Sequence, residues 1–384
     1  MMILENLAIR GFIPIPITRD GSKRIVIKED RIQAIQSTEQ DHNSKNEDCI
    51  RFQSAVALPG LINSHDHLEF NLFPLLANRV YNNYTEWARD IQLFAKKQIE
   101  AVLKIPEDIR IEWGCYKNLL NGFTTVVNHG KRVEIGNSPI HVLQSCTSLH
   151  STTFEKFWKL KLNYPFNRRR MVAMHIGEGR DEMAAAEIDT VTRWNRLHKK
   201  IIAIHGIAMS NKQAEDFEGL VWCPASNYKL IGETANIEEL ADILPVAFGT
   251  DSTLSAEWNA WTHFRLALGE PVMTEDFLLD ILTSRPSALW RLSGKGMMAE
   301  NALADLVIME QKPNLFENNP ENILMVIQNG KIRLFDESLI SQVELPYFKR
   351  ISIKNRVKFV EGDLPGLINK IRSYHPSVDL PVTA

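Results

Sequence analysis

The chain has 384 residues, 44% hydrophobic and 24% charged, a globular balance that excludes disorder, collagen-like repeats and disulfide scaffolds. Lys and Arg number 44 against 47 Asp and Glu, a formal charge of −3 with His neutral, so no basic field favours nucleic acid or an anionic membrane. At roughly 100–200 residues per domain, the length allows two or three domains or one large barrel with an appendage.

The four cysteines, Cys49, Cys115, Cys146 and Cys223, are widely spaced with no C-x-x-C pair, which fits a reducing cytoplasm better than a zinc ribbon or disulfide framework. In the opening stretch Met1–Pro14, Glu5 precedes any basic residue and no small-residue cleavage site follows, which argues against a signal peptide. No apolar run approaches the ~18–20 residues of a membrane helix. The expectation is a cytoplasmic protein with a small-molecule substrate and no nucleic-acid or membrane partner, a homodimer being left open.

In chain order, Ile3–Ile9 and Arg24–Ile35 read as strands of a small sheet, the second with a turn at Glu29-Asp30. The pattern then changes to short apolar strands alternating with amphipathic helices, the signature of a parallel α/β sheet or barrel. The spacing predicts strands at Val56–Asn63, Phe123–Asn128, Ile140–Gln144, Arg170–His175, Ile201–His205, Gly219–Cys223 and Val246–Thr250. It predicts helices over Tyr84–Leu103, Pro106–Leu120, Met183–His198 and Trp258–Gly269. Near the end, Ala304–Met309 reads as a buried strand and Ile323–Leu334 as a hairpin turning at Asn329-Gly330. The two ends can therefore complete one β-domain together. The last forty residues, with Pro346, Pro365, Pro376 and Pro381, read as a decorated tail.

Among 11 histidines, His65 and His67 close an apolar strand with Asp66 between them; a period of two puts both imidazoles on one side, where they can share a metal ion. Taken alone, the pair is a weak signal. His175 and His205 end two further apolar strands and Asp251 follows a third, all at C-terminal ends, where barrel enzymes build active sites. From His67 to His175 is 108 residues, from His175 to His205 is 30 and from His205 to Asp251 is 46. With about 25–30 residues per strand-helix unit, these gaps fit strands one, five, six and eight of an eightfold barrel. Any one of them could be a core histidine or a capping aspartate; their common register is harder to attribute to that.

The segments Leu58–His67, Gly122–Val127, His175–Glu178, Ile204–Gly206, Cys223–Asn227, Gly249–Ser252 and Ala304–Val307 together resemble the amidohydrolase superfamily, in particular its metal-dependent deaminase and chlorohydrolase branch. The resemblance covers about residues 1 to 335 and rests on the segments jointly. It implies an α/β fold, a (β/α)8 TIM-like barrel with a small β-sandwich domain built from both chain ends. The barrel would span 56–300, the composite β-domain 1–55 plus 301–345, and the tail 346–384. By resemblance, His65, His67, His175 and Asp251 hold one divalent ion, Zn²⁺ or Fe²⁺. His205 contacts the water or substrate beside it, and Glu178 shuttles protons.

Such a set makes chemical sense. Three imidazoles and a carboxylate leave a position for water, whose pKa zinc lowers from 15.7 to roughly 7. Asp251 can accept a proton from that water, and Glu178 can carry one to a ring nitrogen and then to a leaving amine. No fourth-strand bridging residue for a second metal can be placed, because Ser145–Arg169 holds no clear apolar strand. The long interval after His67 offers Tyr81, Asn82, Asn83, Tyr84 and Trp87 as pocket wall; Tyr84, Trp87 and His129 are the candidate substrate contacts, each also readable as core. Cys223 reads as a strand end rather than a nucleophile. The expected activity is deamination of a purine, pyrimidine, pterin or related ring. The alternatives are amide C–N or C–Cl hydrolysis by the same site, or a catalytically silent barrel used for binding.

Overall fold

The computed structural model describes residues 1–11, 22–37, 49–136, 138–167, 170–344 and 346–384. Residues 12–14 of the opening stretch, 168–169 and the expected domain limit at 345 lie outside them. The first strands are β1 (Met2–Ile9), β2 (Lys23–Lys28), β3 (Arg31–Ser37) and β4 (Cys49–Pro59). The central region contains β5 (Leu61–Asp66), α1 (Tyr84–Phe94), α2 (Lys96–Leu103), α3 (Glu107–Leu120), β6 (Phe123–Asn128), β7 (His141–Leu143) and β8 (Thr147–Leu149). It continues with α4 (Trp158–Leu162), β9 (Val172–Ile176), α5 (Glu182–Trp194), β10 (Ile201–His205), α6 (Asn211–Ala214) and β11 (Gly219–Trp222). Next come α7 (Pro224–Ile231), α8 (Ile237–Leu240), β12 (Val246–Phe248), α9 (Ala260–Ala267), α10 (Glu275–Leu282) and α11 (Ser284–Leu289). The chain closes with β13 (Leu306–Glu310), β14 (Ile323–Gln328), β15 (Lys331–Asp336), β16 (Phe348–Ile353), β17 (Arg356–Glu361), α12 (Leu364–Tyr374) and β18 (Val382–Thr383). No described helix is long and apolar enough to cross a membrane.

Strands β5 to β12 are parallel and lie in chain order, β5-β6-β7 in one sheet and β8 to β12 in another. At one seam the amide of Asp251, just past β12, donates to the carbonyl of His65 in β5 at 3.1 Å. The two sheets share an apolar interior: Ile62, Val127, Leu143, Ala173, Ile202, Ile204, Val221 and Ala247 belong to one buried cluster. Gly249 keeps room at its upper end, since a Cβ there would stand 2.8 Å from both Cys223 Sγ and His65 Cβ.

Both chain ends pair in a ten-stranded sheet ordered β18-β16-β17-β15-β14-β13-β4-β1-β2-β3. Its hydrogen bonding is continuous from β18 to β3. The reason lies in β4, an eleven-residue strand that pairs with β1 along one edge and β13 along the other. The strand expected at 56–63 is thus two strands. Pro59 and Gly60 part them, and the Gly60 amide leaves to bond the Asp305 carbonyl at 2.7 Å. The segment after 346 is not mere decoration: β16, β17 and β18 extend the sheet, and α12 buries Leu364, Leu367, Ile368 and Ile371.

Helix α3 packs against the segment that follows β5. Its Gly114 lies against the turn that follows His67, where a Cβ would meet the Leu68 carbonyl oxygen at 2.4 Å and its Cα at 2.8 Å. Gly114→Ala should therefore force helix and turn apart and cost about 1–3 kcal/mol, the usual range for overpacking; urea unfolding would measure it, and unchanged stability would contradict this packing account.

Candidate active site

The chemistry-bearing residues gather at the C-terminal ends of the parallel strands. His65 lies in β5 with His67 directly after it, His175 lies in β9, His205 closes β10 and Asp251 follows β12. Counting from β5, these are the first, fifth, sixth and eighth strands. His205 (φ 73°) and Asp251 (φ 55°) both adopt left-handed backbone, which is unfavourable for a non-glycine residue and is held where surrounding contacts demand it. Both supply donor atoms to the same cluster.

The Nε2 atoms of His65 and His175 are 3.2 Å apart. Asp251 Oδ1 stands 3.6 Å from His65 Nε2 and 4.0 Å from His67 Nε2. Ligand atoms about 2.0–2.2 Å from a zinc ion stand roughly 3–4 Å apart around it, so these separations fit a shared divalent cation. Three overlapping groups each bring donor atoms within 4.8 Å of one another: His65, His205 and Asp251; His65, His129 and His175; and His175, Glu178 and His205. His67 belongs to none of these and joins through its contact with Asp251.

Protonation supports the same use. Burial holds His65 and His150 at about 4, lowers His205 and drives His129 and His175 well below the ordinary imidazole value. Near pH 7 these rings are neutral, the form with a lone pair for metal. The buried ring atoms His65 Nδ1, His175 Nδ1 and His129 Nε2 have no hydrogen-bond partner among the described residues, a costly state for buried polar groups that draws notice to the cluster. Burial pushes Asp251 upward, but its contacts with His65, His67 and His205 outweigh that and hold the carboxyl well below its usual range. The carboxylate also accepts from the hydroxyls of Ser226 and Ser255, 2.9 and 2.7 Å from Oδ2, and from the Ser252 amide 2.7 Å from Oδ1.

Glu178 behaves oppositely. Desolvation, then the negative charges of Asp251 and Glu187, push its carboxyl well above the ordinary value, so it keeps a proton where an exposed glutamate has lost it. Its Oε2 lies 3.7 Å from His205 Nε2. The other nitrogen of that ring, Nδ1, is 2.8 Å from Asn227 Oδ1, an acceptor that assigns the ring proton to Nδ1 and leaves the Nε2 lone pair facing the site.

Behind the histidines lies a buried polar network. Asp66 points to the opposite side of the strand from its neighbours and accepts from Lys117 Nζ at 3.1 Å, Asn118 Nδ2 at 2.7 Å and Asn71 Nδ2 at 2.9 Å. Lys117 also reaches Thr250 Oγ1 at 3.2 Å and the Asp251 carbonyl at 3.3 Å. Asn63 donates to both Asn118 and Thr250, at 2.8 Å each. The first and eighth strands are thus tied through α3.

A cavity of about 410 Å³ opens over the cluster, with His67, His175, Glu178, His205 and Asp251 among its lining residues. Tyr84 and Trp87 line it as the sequence suggests. His129 does not: it is buried, stacked on His175 with ring centres 4.5 Å apart, and it stands among the donor atoms rather than on the cavity wall. Several contributors are missing from the sequence reading. His150, past the three-residue β8, and Phe70, Phe73 and Phe154 line the cavity, while Ser226, Asn227 and Lys117 support it from behind. Only the Cys223–Asn227 segment carried a signal that pointed to any of them. Cys223 is buried with its thiol pushed well above the ordinary value, consistent with a protonated strand-end residue.

Residues 163–333 match the amidohydrolase family model. A 5-methylthioadenosine/S-adenosylhomocysteine deaminase of Pyrococcus horikoshii is 24% identical over 204 residues, 44% of this chain and 48% of the relative; the match spans about half of that protein's length. Among solved structures, a zinc-bound adenosine deaminase from Xanthomonas campestris aligns with TM-score 0.71 and 14% identity over 98% of each chain. The zinc complex of atrazine chlorohydrolase from Arthrobacter aurescens aligns with TM-score 0.68 and 14% identity over 97% of this chain and 100% of that one. At such identity the likeness shows the fold alone, that of a TIM-barrel domain.

Lys117→Met would strand the Asp66 carboxylate in the interior. Losing one member of a buried ion pair costs about 3–5 kcal/mol, a loss that chemical denaturation should register and that adding Asp66→Asn should partly restore. A loss below about 1 kcal/mol would remove the network from the account of the site.

Proposed function

We propose that this chain is a metal-dependent hydrolase that deaminates an amino-substituted heterocycle, with the parallel strands closing into one barrel around the site. The observation that carries the reading is the pairing of a neutral-imidazole and carboxylate donor cluster with a protonated, buried Glu178 on the same cavity. His65, His67, His175 and Asp251 would hold the ion, with His205 beside them; His129, through its unpartnered Nε2, is available on the far side. When bound, the divalent ion supplies a water acidic enough to be hydroxide near neutral pH.

The chain's own residues then manage protons. Glu178 gives its proton to the ring nitrogen next to the amino-bearing carbon, while Asp251 takes one from the attacking water. A C–O bond forms as the ring C=N bond becomes single. Asp251 passes its proton to the amino group, the C–N bond breaks and ammonia leaves. The hydroxyl proton of the addition intermediate returns to Glu178, restoring both carboxyl groups and leaving a ring lactam. His205, fixed by Asn227, holds its Nε2 toward the reacting centre.

Glu178→Gln should retain metal by elemental analysis and lose about 10²–10⁴ in turnover, the range of general acid–base catalysis, with ammonia release as readout. An unaltered rate would exclude Glu178 from proton transfer. Chloride release from chlorinated rings without ammonia from amino rings would favour C–Cl hydrolysis. Absence of metal even after reconstitution would favour a binding protein.

A further inference from the structure

Two kinds of wall enclose the cavity. The floor carries the donor cluster, with His67, His175, Glu178, His205 and Asp251. The opposite wall is apolar and comes from α1, α2 and the turns beside them: Phe73, Trp87, Ile91, Ile99, Leu103 and Phe154. The polar atoms of its aromatic residues are engaged elsewhere. Tyr84 donates its hydroxyl to Glu187 Oε1 at 3.0 Å, and Trp87 donates Nε1–H to the Leu76 carbonyl at 2.6 Å. Both rings therefore meet the cavity with carbon. The hydroxyls of Ser255 and Ser226 are engaged with Asp251. On the α1–α2 wall, Gln92 is the one amide, and among the described residues no Lys or Arg lines the cavity. Leu103 and Phe154, 52% and 46% exposed, extend the apolar character to the rim.

We infer, resting on the deaminase reading, that the substrate is an uncharged amino-heterocycle bearing an alkyl or aryl substituent rather than a ribose or phosphoribose. A ribose would bury hydroxyls against carbon, leaving them without the partners they have in water. A phosphate or carboxylate on that substituent would meet no Lys or Arg along the α1–α2 wall and would lose its hydration against carbon. An alkyl or aryl group instead removes apolar surface from water on both sides. The reacting ring sits over the donors, and its substituent points along α1 and α2.

The experiment uses the full chain loaded with zinc. Ammonia release is measured from adenine, cytosine and an aminotriazine, each as an N-butyl derivative, and from adenosine, cytidine and their 5′-monophosphates. The expected result is a kcat/KM for a butyl derivative at least tenfold above that of the matching riboside, with no turnover of the monophosphates. A riboside equal to or better than its butyl partner, or a monophosphate turned over at a comparable rate, overturns the inference while leaving the deaminase reading intact. Calorimetric binding to zinc-loaded Glu178→Gln separates the two claims. Tenfold tighter binding of the butyl compounds without ammonia release from the unaltered protein refutes the reaction but upholds the cavity assignment; no such preference refutes the assignment. Leu103→Lys, at the exposed rim, should reduce the butyl preference and bring measurable binding of the monophosphates.

Discussion

Everything at this site hangs on one buried charge. A strand with histidines at 65 and 67 must turn the residue between them to the other side, and that residue is an aspartate. With Asp66 fully enclosed, its carboxylate has to be met by donors, and Lys117, Asn118 and Asn71 meet it. Because Lys117 also bonds Thr250 and the Asp251 carbonyl, the requirement to neutralise one side chain sets the position of the eighth strand against the first. Gly114 serves the same end by letting α3 lie directly on the turn after His67. The donor atoms facing the cavity are consequently spaced by contacts on the side away from it.

The cavity combines two dielectric regimes. Its floor gathers the neutral imidazoles of His175 and His205, an ionised Asp251 served by three donors, and a Glu178 that desolvation keeps protonated. Two carboxyl groups a short distance apart thus have opposite protonation, the separation that acid and base roles need. Its outer wall is carbon, with the aromatic polar atoms bonded away from the opening. Charge is confined to where bonds would change.

Much of the geometric layout of the donor cluster was legible from spacing. His65, His67, His175, His205 and Asp251 each end an apolar run, and the strands they end are the first, fifth, sixth and eighth of the parallel series, as the intervals suggest. The fourth strand was not legible because β8, Thr147-Ser148-Leu149, carries a single apolar residue, whereas the equally short β7 and β12 lie within apolar runs. The helix expected over Tyr84–Leu103 breaks at Ala95 into α1 and α2, with no Gly or Pro to mark the break. In the last forty residues the prolines suggested a tail, yet the alternating Phe348–Ile353 and Arg356–Glu361 supply strands that complete a sheet begun at the other end of the chain.

The amino-acid sequence by itself determined the parallel strand series, the donor types and their places at strand ends, since hydrophobic periodicity and residue chemistry are local properties. Tertiary structure decided the rest. It placed His129 among the donors instead of on the cavity wall, paired Lys117 with Asp66 across 51 positions, brought His150 and Phe154 to the opening, and turned the Tyr84 and Trp87 polar atoms away from it. Burial, ion pairing and the direction a side chain faces depend on neighbours distant in the chain, and no local pattern encodes them.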